Sequence, residues 1–546
     1  MAPRRIIALL AVALLAAACG SDPASEGVAP TADDDGGCPD DLAGPLSSWE
    51  RVGFRGAVLL VEGGEVVCEL GVGTADDEGT PITVDTVFSI GSVTKSITAA
   101  TVLSMVDDGL VALETPVAEV LPELAGREAT VEDVLRHEGG FGSTHAADTA
   151  TVTLDEALAL IAEEEPLFAP GEDVSYSNTG YTVLAAIIER VAGQPFRDAV
   201  RERMLTDADG APIGGWWHGE PAAAGPRAVG YLDGREVGTG DPTAGPRWGL
   251  EGAGGIAMTV RELAGWASAL DDGELLSPGS VELATTAPGG EGETVGWVAA
   301  GPPLVPEAGL FSAGGGGTGH NVVIGWWPDA DRTLVMASND DAMRAEALFE
   351  RTVGALVSGD AVPEAPERGE VDADVLADLV GEYVVEDGSL AVLDDDGAAA
   401  EVSGALLPAV LPLPDELVAA AAEHEALVLE QIEVSDEREN LEEAIGELDD
   451  VRVIATVFVE NELRTHVAIT STDGTELVAW FALEPNGELA AAEVPAPPIR
   501  LLLSARADGS LAVVATDGAP NGVALRPDGD GLVVVGPDGT ELRLAR

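Results

Sequence analysis

A single lysine occurs in the whole chain, and a serine precedes it by three residues in Ser92-Val93-Thr94-Lys95. The apolar run Ile97–Val106 that follows predicts a buried helix. Residues i and i+3 share a helix face, so the Lys95 ammonium can reach the Ser92 hydroxyl. A buried lysine can lose its proton near neutral pH and then deprotonate the serine. The spacing therefore predicts a Ser92 nucleophile with Lys95 as its base, against the alternative of an N-cap serine followed by a solvated lysine.

A second group of reactive residues is the triplet Tyr176-Ser177-Asn178, which precedes a helix predicted at Thr182–Ala192. A phenol beside an ammonium can relay protons, so we predict that Tyr176 shares proton transfer with Lys95. Asn178 is predicted to orient a substrate carbonyl together with Lys95. Taken alone, the triplet also fits a tyrosine that packs where a helix begins.

The elements around these residues predict an α/β chain of the α+β type. Two hairpins, at residues 57–70 and 321–338, are separated by helices, which indicates one antiparallel sheet flanked by helices together with a helical subdomain. The domain that carries Ser92, Lys95 and Tyr176 is expected at residues 49–358. After a Pro/Glu-rich linker at residues 359–371, short strands with Asp-Gly turns predict a C-terminal β-rich accessory domain at residues 372–546.

These segments resemble the class C β-lactamases, the D-alanyl-D-alanine carboxypeptidases and the related lactamase-like esterases. The resemblance rests on Phe88–Lys95, Ala129–His137, Pro170–Asn178, Gly254-Gly255-Ile256 before Thr259, and the Gly-rich run before His320. It implies the β-lactamase/transpeptidase-like fold and acyl-enzyme chemistry, with Ser92 as nucleophile, Lys95 and Tyr176 as proton shuttle, and Asn178 as a substrate contact. It implies no metal and no organic cofactor.

The third motif of that family departs from the family pattern here. The family carries Lys or His, then Thr or Ser, then Gly, and the alignment places this triplet at Ala313-Gly314-Gly315. The cation and the hydroxyl, which normally help to recognise a substrate carboxylate, are therefore absent. The backbone N–H groups of Gly315 and Gly316 remain for substrate binding, and Gly316 would form an oxyanion hole with the N–H of Ser92.

The departure of this motif favours an ester or amide as substrate, then a D-Ala peptide, and a β-lactam last. It also motivates an alternative, a catalytically weakened penicillin-binding-like protein that binds cell-wall peptide without turnover. Two further questions stay open. His320 either supplies the missing cation or is an ordinary histidine at the start of a strand. Trp216-Trp217 and His218 either line a substrate cleft or pack a lid.

The N-terminus predicts export. Arg4 and Arg5 precede the apolar run Ile6–Ala18, which is too short for a membrane span and suits a signal peptide at residues 1–18. Cys19 after small residues resembles a lipoprotein site, which predicts a lipid anchor on the outer face of the bacterial cytoplasmic membrane. Ordinary signal cleavage and secretion is the alternative. Residues 19–48 are predicted to form an acidic flexible tether.

The net charge of −70 makes nucleic acids and anionic lipid surfaces poor partners. The expected partners are a small-molecule or peptide substrate, with cell-wall peptide among them, and the membrane through Cys19. The remaining cysteines, Cys38 and Cys68, either form a disulfide outside the cytoplasm or are two unrelated thiols.

Overall fold

The structure, a computed structural model, describes residues 37–146, 150–207, 210–232, 235–241, 243–286, 292–300, 309–317, 319–365, 371, 373–385, 388–394, 398–414, 417–434, 438, 441–442, 446–459, 462–483, 489–506, 509–514, 520–529 and 531–546. The predicted signal peptide and the predicted lipidation site at Cys19 lie outside these stretches.

The first part of the chain mixes helices with short strands. Its helices are α1 Asp40–Ser47, α2 Thr94–Asp107, α3 Val117–Val120, α4 Val131–Leu135, α5 Leu154–Glu163, α6 Asn178–Ala192, α7 Phe196–Met204, α8 Val260–Asp271, α9 Pro278–Ala284 and α10 Ala345–Ser358. Its strands are β1 Gly56–Glu62, β2 Glu65–Val72, β3 Val87–Ser89, β4 Gly215–Trp216, β5 Gly230–Leu232, β6 Arg235–Gly238, β7 Ile256–Thr259, β8 Gly292–Glu293, β9 Val298–Ala300, β10 Leu310–Gly317, β11 His320–Trp327 and β12 Arg332–Ser338.

The main sheet is antiparallel, with strand order β2-β1-β12-β11-β10-β9-β8. Side chains alternate between the two faces of a strand, and β1 shows this directly. Ala57 and Leu59 join the core that contains α2, α6 and α8, whereas Val58 and Leu60 join a second core that contains α1 and α10. The sheet is therefore covered by helices on both faces, and the predicted fold class is confirmed.

Local sequence signals set the ends of the helices that surround the site. Ser177 caps α6 by accepting a hydrogen bond from Gly180 N at 2.8 Å, and Gly193 ends this helix in the left-handed conformation. Thr259 caps α8 in a capping box with Glu262. The amphipathic pattern of the sequence predicts a helix at Ala257–Leu270, but the helix begins at Val260, because residues 257–259 pair with β3 as a strand.

The C-terminal part is rich in strands. Its helices are α11 Ala373–Leu379, α12 Leu407–Val410 and α13 Val418–Val434. Its strands are β13 Gly381–Val385, β14 Gly388–Asp394, β15 Ala398–Gly404, β16 Leu448–Val459, β17 Glu462–Ser471, β18 Glu476–Leu483, β19 Leu489–Glu493, β20 Ile499–Ala505, β21 Leu511–Val514, β22 Pro520–Asp528, β23 Gly531–Val535 and β24 Glu541–Leu544.

Eight of these strands form one antiparallel sheet in the order β13-β14-β15-β20-β21-β22-β23-β24. Its end strands approach each other, and Arg546 near β24 donates hydrogen bonds to Asp378 O and Val380 O beside β13. Between β15 and β20 the chain forms a separate four-stranded sheet, β16-β17-β18-β19, on which α13 packs. Val514 and Leu502 of the larger sheet pack into the core that contains α10, so the two parts of the chain are in contact.

Cys38 and Cys68 form a disulfide that joins the start of the described chain to β2. This resolves the alternative that the sequence left open. Helix α1 and its buried Leu46 lie inside the stretch predicted as tether, so ordered structure begins before residue 49. Likewise Val362 and Ala365, in the predicted linker, are buried beside Trp49. Within the described stretches, no helix is both long and apolar enough to cross a membrane.

Candidate active site

Ser92 lies in a short 3₁₀ turn, Gly91–Val93, that leads directly into α2. Lys95 is in the first turn of α2, and only 4% of its surface is exposed. Its Nζ lies 3.1 Å from Ser92 Oγ, 2.7 Å from Asn178 Oδ1 and 2.9 Å from the carbonyl oxygen of Ala253. The fold therefore buries the single amine side chain of the protein against the serine that the sequence singled out.

The three contacts of Lys95 suit both protonation states of its side chain. An ammonium has three N–H donors, one for each oxygen. The neutral amine keeps two donors for Asn178 Oδ1 and Ala253 O, which can only accept, and its lone pair is then left for the hydroxyl proton of Ser92. The arrangement can thus hold a lysine as proton acceptor without leaving a buried acceptor unsatisfied.

Tyr176 reaches the same serine from the loop that precedes α6. Its hydroxyl lies 2.8 Å from Ser92 Oγ, and Lys95 Nζ lies 4.6 Å from the centre of its ring. The structure therefore brings together Ser92, Lys95, Tyr176 and Asn178. Their catalytic roles stay predictions.

His137 holds the loop that carries Tyr176. Its Nδ1 accepts a hydrogen bond from Ser177 N at 3.1 Å, and its carbonyl accepts one from Ser175 N at 3.0 Å. The imidazole packs on the Tyr176 ring with 4.8 Å between centroids. Burial, together with the nearby charge of Lys95, lowers the pKa of His137 to about 3. His137 is therefore a neutral support of the loop at ordinary pH.

Two glycines let strand β10 approach the serine turn. Gly91 has φ of +50°, and a Cβ on it would lie 2.6 Å from Gly316 N. A Cβ on Gly315 would overlap Ser92 N. The backbones that carry the N–H groups of Ser92 and Gly316 are consequently in van der Waals contact, as an oxyanion hole built from both would require.

The substituted third motif lies at the predicted place but offers no cation. Ala313 is buried in the core beneath β10, and Gly314 faces Glu346 of α10. His320 does not replace the missing cation. It is enclosed by Trp217 and Phe88, its ring nitrogens have no hydrogen-bond partner among the described residues, and burial lowers its pKa to about 3. Trp217 is itself buried, so it packs in the interior instead of lining an open cleft.

A buried ion pair supports the lysine and was missed in the sequence. Arg197 of α7 binds both carboxylate oxygens of Glu251, and it also donates to the carbonyls of His218 and Glu220. Glu251 stands two residues before Ala253, the backbone acceptor of Lys95. The signal available in the sequence was an acidic residue before a Gly-rich turn. The role of Ala253 could not be predicted in this way, because any residue can accept a hydrogen bond through its backbone carbonyl.

The sequence model of the family described as Beta-lactamase matches residues 48–357. The chain belongs to the beta-lactamase family. Among relatives of this beta-lactamase-family protein, penicillin-binding protein 4* of Bacillus subtilis is 25% identical over 394 residues, which cover 66% of this chain and 87% of the relative. Esterase EstB of Burkholderia gladioli is 34% identical over 204 residues, covering 33% of this chain and 51% of EstB.

A solved structure extends the similarity in fold. The octameric penicillin-binding protein homologue from Pyrococcus abyssi has a TM-score of 0.50 and 21% identity, and the match covers 81% of this chain and 95% of the homologue. The family assignment makes the chain an enzyme, a serine hydrolase. The part of the chain that the structure describes contains no group of three or more His, Cys, Asp or Glu arranged to hold a metal ion.

Proposed function

We propose that this protein forms an acyl-enzyme at Ser92 with an ester or amide substrate and then hydrolyses it. The observation that carries the proposal is that Ser92 Oγ lies 3.1 Å from Lys95 Nζ and 2.8 Å from Tyr176 OH. A serine hydroxyl needs a neighbouring base to become a nucleophile. Lys95 and Tyr176 can both transfer protons and both contact the Ser92 hydroxyl inside a buried site, so they meet that need.

The acylation step follows from these contacts. Ser92 Oγ bonds to the substrate carbonyl carbon while Lys95 takes its proton, and the N–H groups of Ser92 and Gly316 donate to the oxyanion. The bond to the leaving group then breaks as Tyr176 gives the departing oxygen or nitrogen its proton, and the Lys95 ammonium afterwards returns a proton to the Tyr176 phenolate. Water attacks the acyl-enzyme by the reverse proton path, which releases the acid and restores Ser92.

The substrate class is inferred from the third motif. Ala313 and Gly314 provide neither cation nor hydroxyl, so this site lacks the groups with which the family normally recognises a carboxylate. An ester or amide is therefore the leading substrate, ahead of a D-Ala peptide and a β-lactam. The similarity to an esterase, over part of the chain, supports this order.

The proposal is tested by intact-protein mass spectrometry after exposure to a fluorophosphonate and, separately, to a penicillin. A single adduct that Ser92→Ala abolishes is the expected result. The reagent that reacts faster distinguishes esterase-like from penicillin-binding behaviour. Folded protein that forms no adduct with either reagent would overturn the proposal.

The departure at Ala313 also favours a second candidate, a penicillin-binding-like protein that binds cell-wall peptide without turnover. Such a protein would form a stable adduct, or bind a peptide, and yet release no product. Mass spectra taken over several hours separate the two candidates, since a hydrolase loses its acyl group and recovers the mass of the unmodified protein.

We further propose that the protein is exported and held at the outer face of the bacterial cytoplasmic membrane by a lipid on Cys19. The Cys38–Cys68 disulfide supports an oxidising compartment, because such bonds are rare in the cytoplasm. Incorporation of labelled palmitate into the wild type but not into Cys19→Ser is expected. Label in neither protein, with the wild type recovered from the medium, would indicate secretion instead.

A further inference from the structure

Strand β10 has glycine at four successive positions, Gly314–Gly317, next to the nucleophile. Because side chains alternate along a strand, its two faces have different neighbours. Gly315 faces the serine turn, where a Cβ would overlap Ser92 N. Gly314 and Gly316 face the other way, towards α10 and Asn321. A side chain at position 314 would therefore project into a space separate from the serine turn.

Glu346, in the first turn of α10, fills that space. A Cβ on Gly314 would overlap Glu346 Oε1, so the carboxylate lies against the backbone of the strand. Glu346 Oε2 accepts hydrogen bonds from Asn321 Nδ2 at 2.8 Å and from Arg344. The backbone N–H of Glu346 donates to Asn321 Oδ1 at 2.8 Å. The carboxylate is thus fixed through its backbone and through Oε2, with Oε1 turned to the strand.

The carboxylate of Glu346 is reachable from solvent, since 29% of the side chain is exposed. Lys95, in contrast, is buried and donates to three oxygens at the nucleophile. Successive residues along a strand rise by about 3.3 Å, so Gly314 stands roughly 7 Å from the N–H of Gly316. A substrate that accepts a hydrogen bond from the N–H of Gly316 and extends along the strand by two residues would therefore reach Glu346.

We propose that Glu346 is a specificity-determining residue that disfavours a carboxylate on the leaving group and favours a hydrogen-bond donor or a cation there. This inference rests on the proposed acylation of Ser92. A threonine or serine at position 314 could donate to a carboxylate, whereas Glu346 occupies that place and can only accept. The ion pair with Arg344 offsets part of the negative charge of Glu346, but both oxygens of the carboxylate can still only accept hydrogen bonds, so a substrate carboxylate beside Oε1 finds no donor there. An amide N–H, a hydroxyl or an ammonium would satisfy Oε1.

The test uses three aryl acetates that share one acyl group and differ in the para substituent of the leaving phenol: carboxylate, carboxamide or trimethylammonium. The second-order rate of phenol release measures acylation, and each rate is divided by the rate of hydroxide hydrolysis of the same ester. The wild type is expected to prefer the carboxamide and the ammonium over the carboxylate by about threefold or more, less than the effect of a lone unit charge because Arg344 offsets part of the charge of Glu346.

Glu346→Gln keeps the shape of the side chain and an acceptor for Asn321, and it removes the charge. This variant is expected to raise the carboxylate-to-carboxamide rate ratio about threefold. Glu282→Gln, an exposed residue of α9, is the matched control for the effect of net charge and should leave the ratio unchanged. An equal ratio in the wild type and Glu346→Gln, or an equal rise in Glu282→Gln, would overturn the proposal.

Failure of this inference is distinguishable from failure of the proposed function. If Ser92 still reacts with a fluorophosphonate and the three esters react without regard to charge, only the role of Glu346 is refuted. If none of the three esters reacts while the fluorophosphonate still labels Ser92, the substrate class is refuted together with the role of Glu346. If Ser92 takes no label at all, the acyl-enzyme mechanism itself is refuted.

Discussion

Arg197 and Glu251 form a buried bidentate ion pair two residues away from Ala253, the carbonyl that accepts a hydrogen bond from Lys95. Both side chains are more than nine-tenths buried. The pair joins α7 to the turn at residues 251–254, and the same turn accepts a hydrogen bond from Thr98 of α2 through Gly252 O at 2.8 Å. We infer that Arg197 and Glu251 are positioning residues that act on the lysine through this turn.

Glu251→Gln is expected to destabilise the protein and to lower acylation. Removal of one partner leaves a buried Arg197 charge uncompensated, which costs about 3–5 kcal/mol in comparable pairs. Because Ala253 O would shift, we expect the pH profile of acylation to shift as well, and a purely structural role would not cause that. Urea unfolding and pH–rate profiles measure the two effects.

The matched control for this ion pair is Glu123→Gln, which breaks the exposed pair with Arg190 at 2.8 Å. Exposed pairs contribute about 0–1 kcal/mol, so its unfolding free energy and pH profile should barely change. If Glu251→Gln behaved like Glu123→Gln, the positioning role of the buried pair would be refuted.

The sequence predicted the groups whose chemistry depends on side chains close together in the chain. Ser92 and Lys95 follow from helical spacing, and Gly193 and Thr259 follow from capping rules that act within one turn. The contacts that complete the site are of another kind. Ala253 acts through its backbone, and Glu346 is one of 97 acidic residues. Only the tertiary fold distinguishes them, because their neighbours, Lys95 and Gly314, lie far away in sequence.

The end of the tether and the strand pairing of the C-terminal part were harder to predict, because they also depend on contacts between residues far apart in sequence. Composition indicated a tether up to residue 48, but the Cys38–Cys68 disulfide and buried Leu46 order helix α1. In the C-terminal part, Asp-Gly turns indicated strands without indicating which strands pair. Strand β15 pairs with β20 across the whole four-stranded insertion, and this pairing depends on long-range contacts that no local pattern specifies.

Lys95→Arg is expected to lose nearly all acylation, by about 10³-fold or more, although the charge is kept. A guanidinium does not give up its proton in this pH range, so it cannot take the proton of Ser92. The rate of fluorophosphonate labelling measures the loss. Turnover within a few-fold of the wild type would refute the role of lysine as a base.

The titration of Lys95 can be followed directly, because it is the single lysine of the chain. Protein grown on lysine labelled at Cε gives one NMR signal for this side chain. The midpoint of that signal should coincide with the rising limb of the pH–rate profile. A lysine that stays charged throughout the active pH range would contradict the proposed mechanism.

His137→Asn is expected to slow acylation through Tyr176. Asparagine tolerates the positive φ of +60° and offers an oxygen to Ser177 N, but it removes the ring that packs on Tyr176. We expect kcat to fall by about tenfold, with a smaller change in KM, because ring contacts of this kind contribute about 0.5–1.5 kcal/mol. His424→Asn, in the C-terminal part, is the matched control and should leave kcat unchanged. A fall in Tm without a fall in kcat would leave His137 a structural residue only.

His320→Phe is expected to make the protein less sensitive to acid. The pKa of His320 is about 3 in the folded protein because of burial, against an ordinary value of 6.5 in the unfolded chain. Between these values the unfolded state binds a proton that the folded state does not, so stability falls as the pH is lowered. From pH 6 to pH 4 this residue alone costs about 2 kcal/mol. Phenylalanine keeps an aromatic ring beside Phe88 and Trp217 and carries no proton. The free energy of unfolding is measured with urea at both pH values. Its loss between pH 6 and pH 4 should be smaller in the variant than in the wild type by that amount. An identical loss in both proteins would mean that His320 is protonated, and hydrated, in the fold.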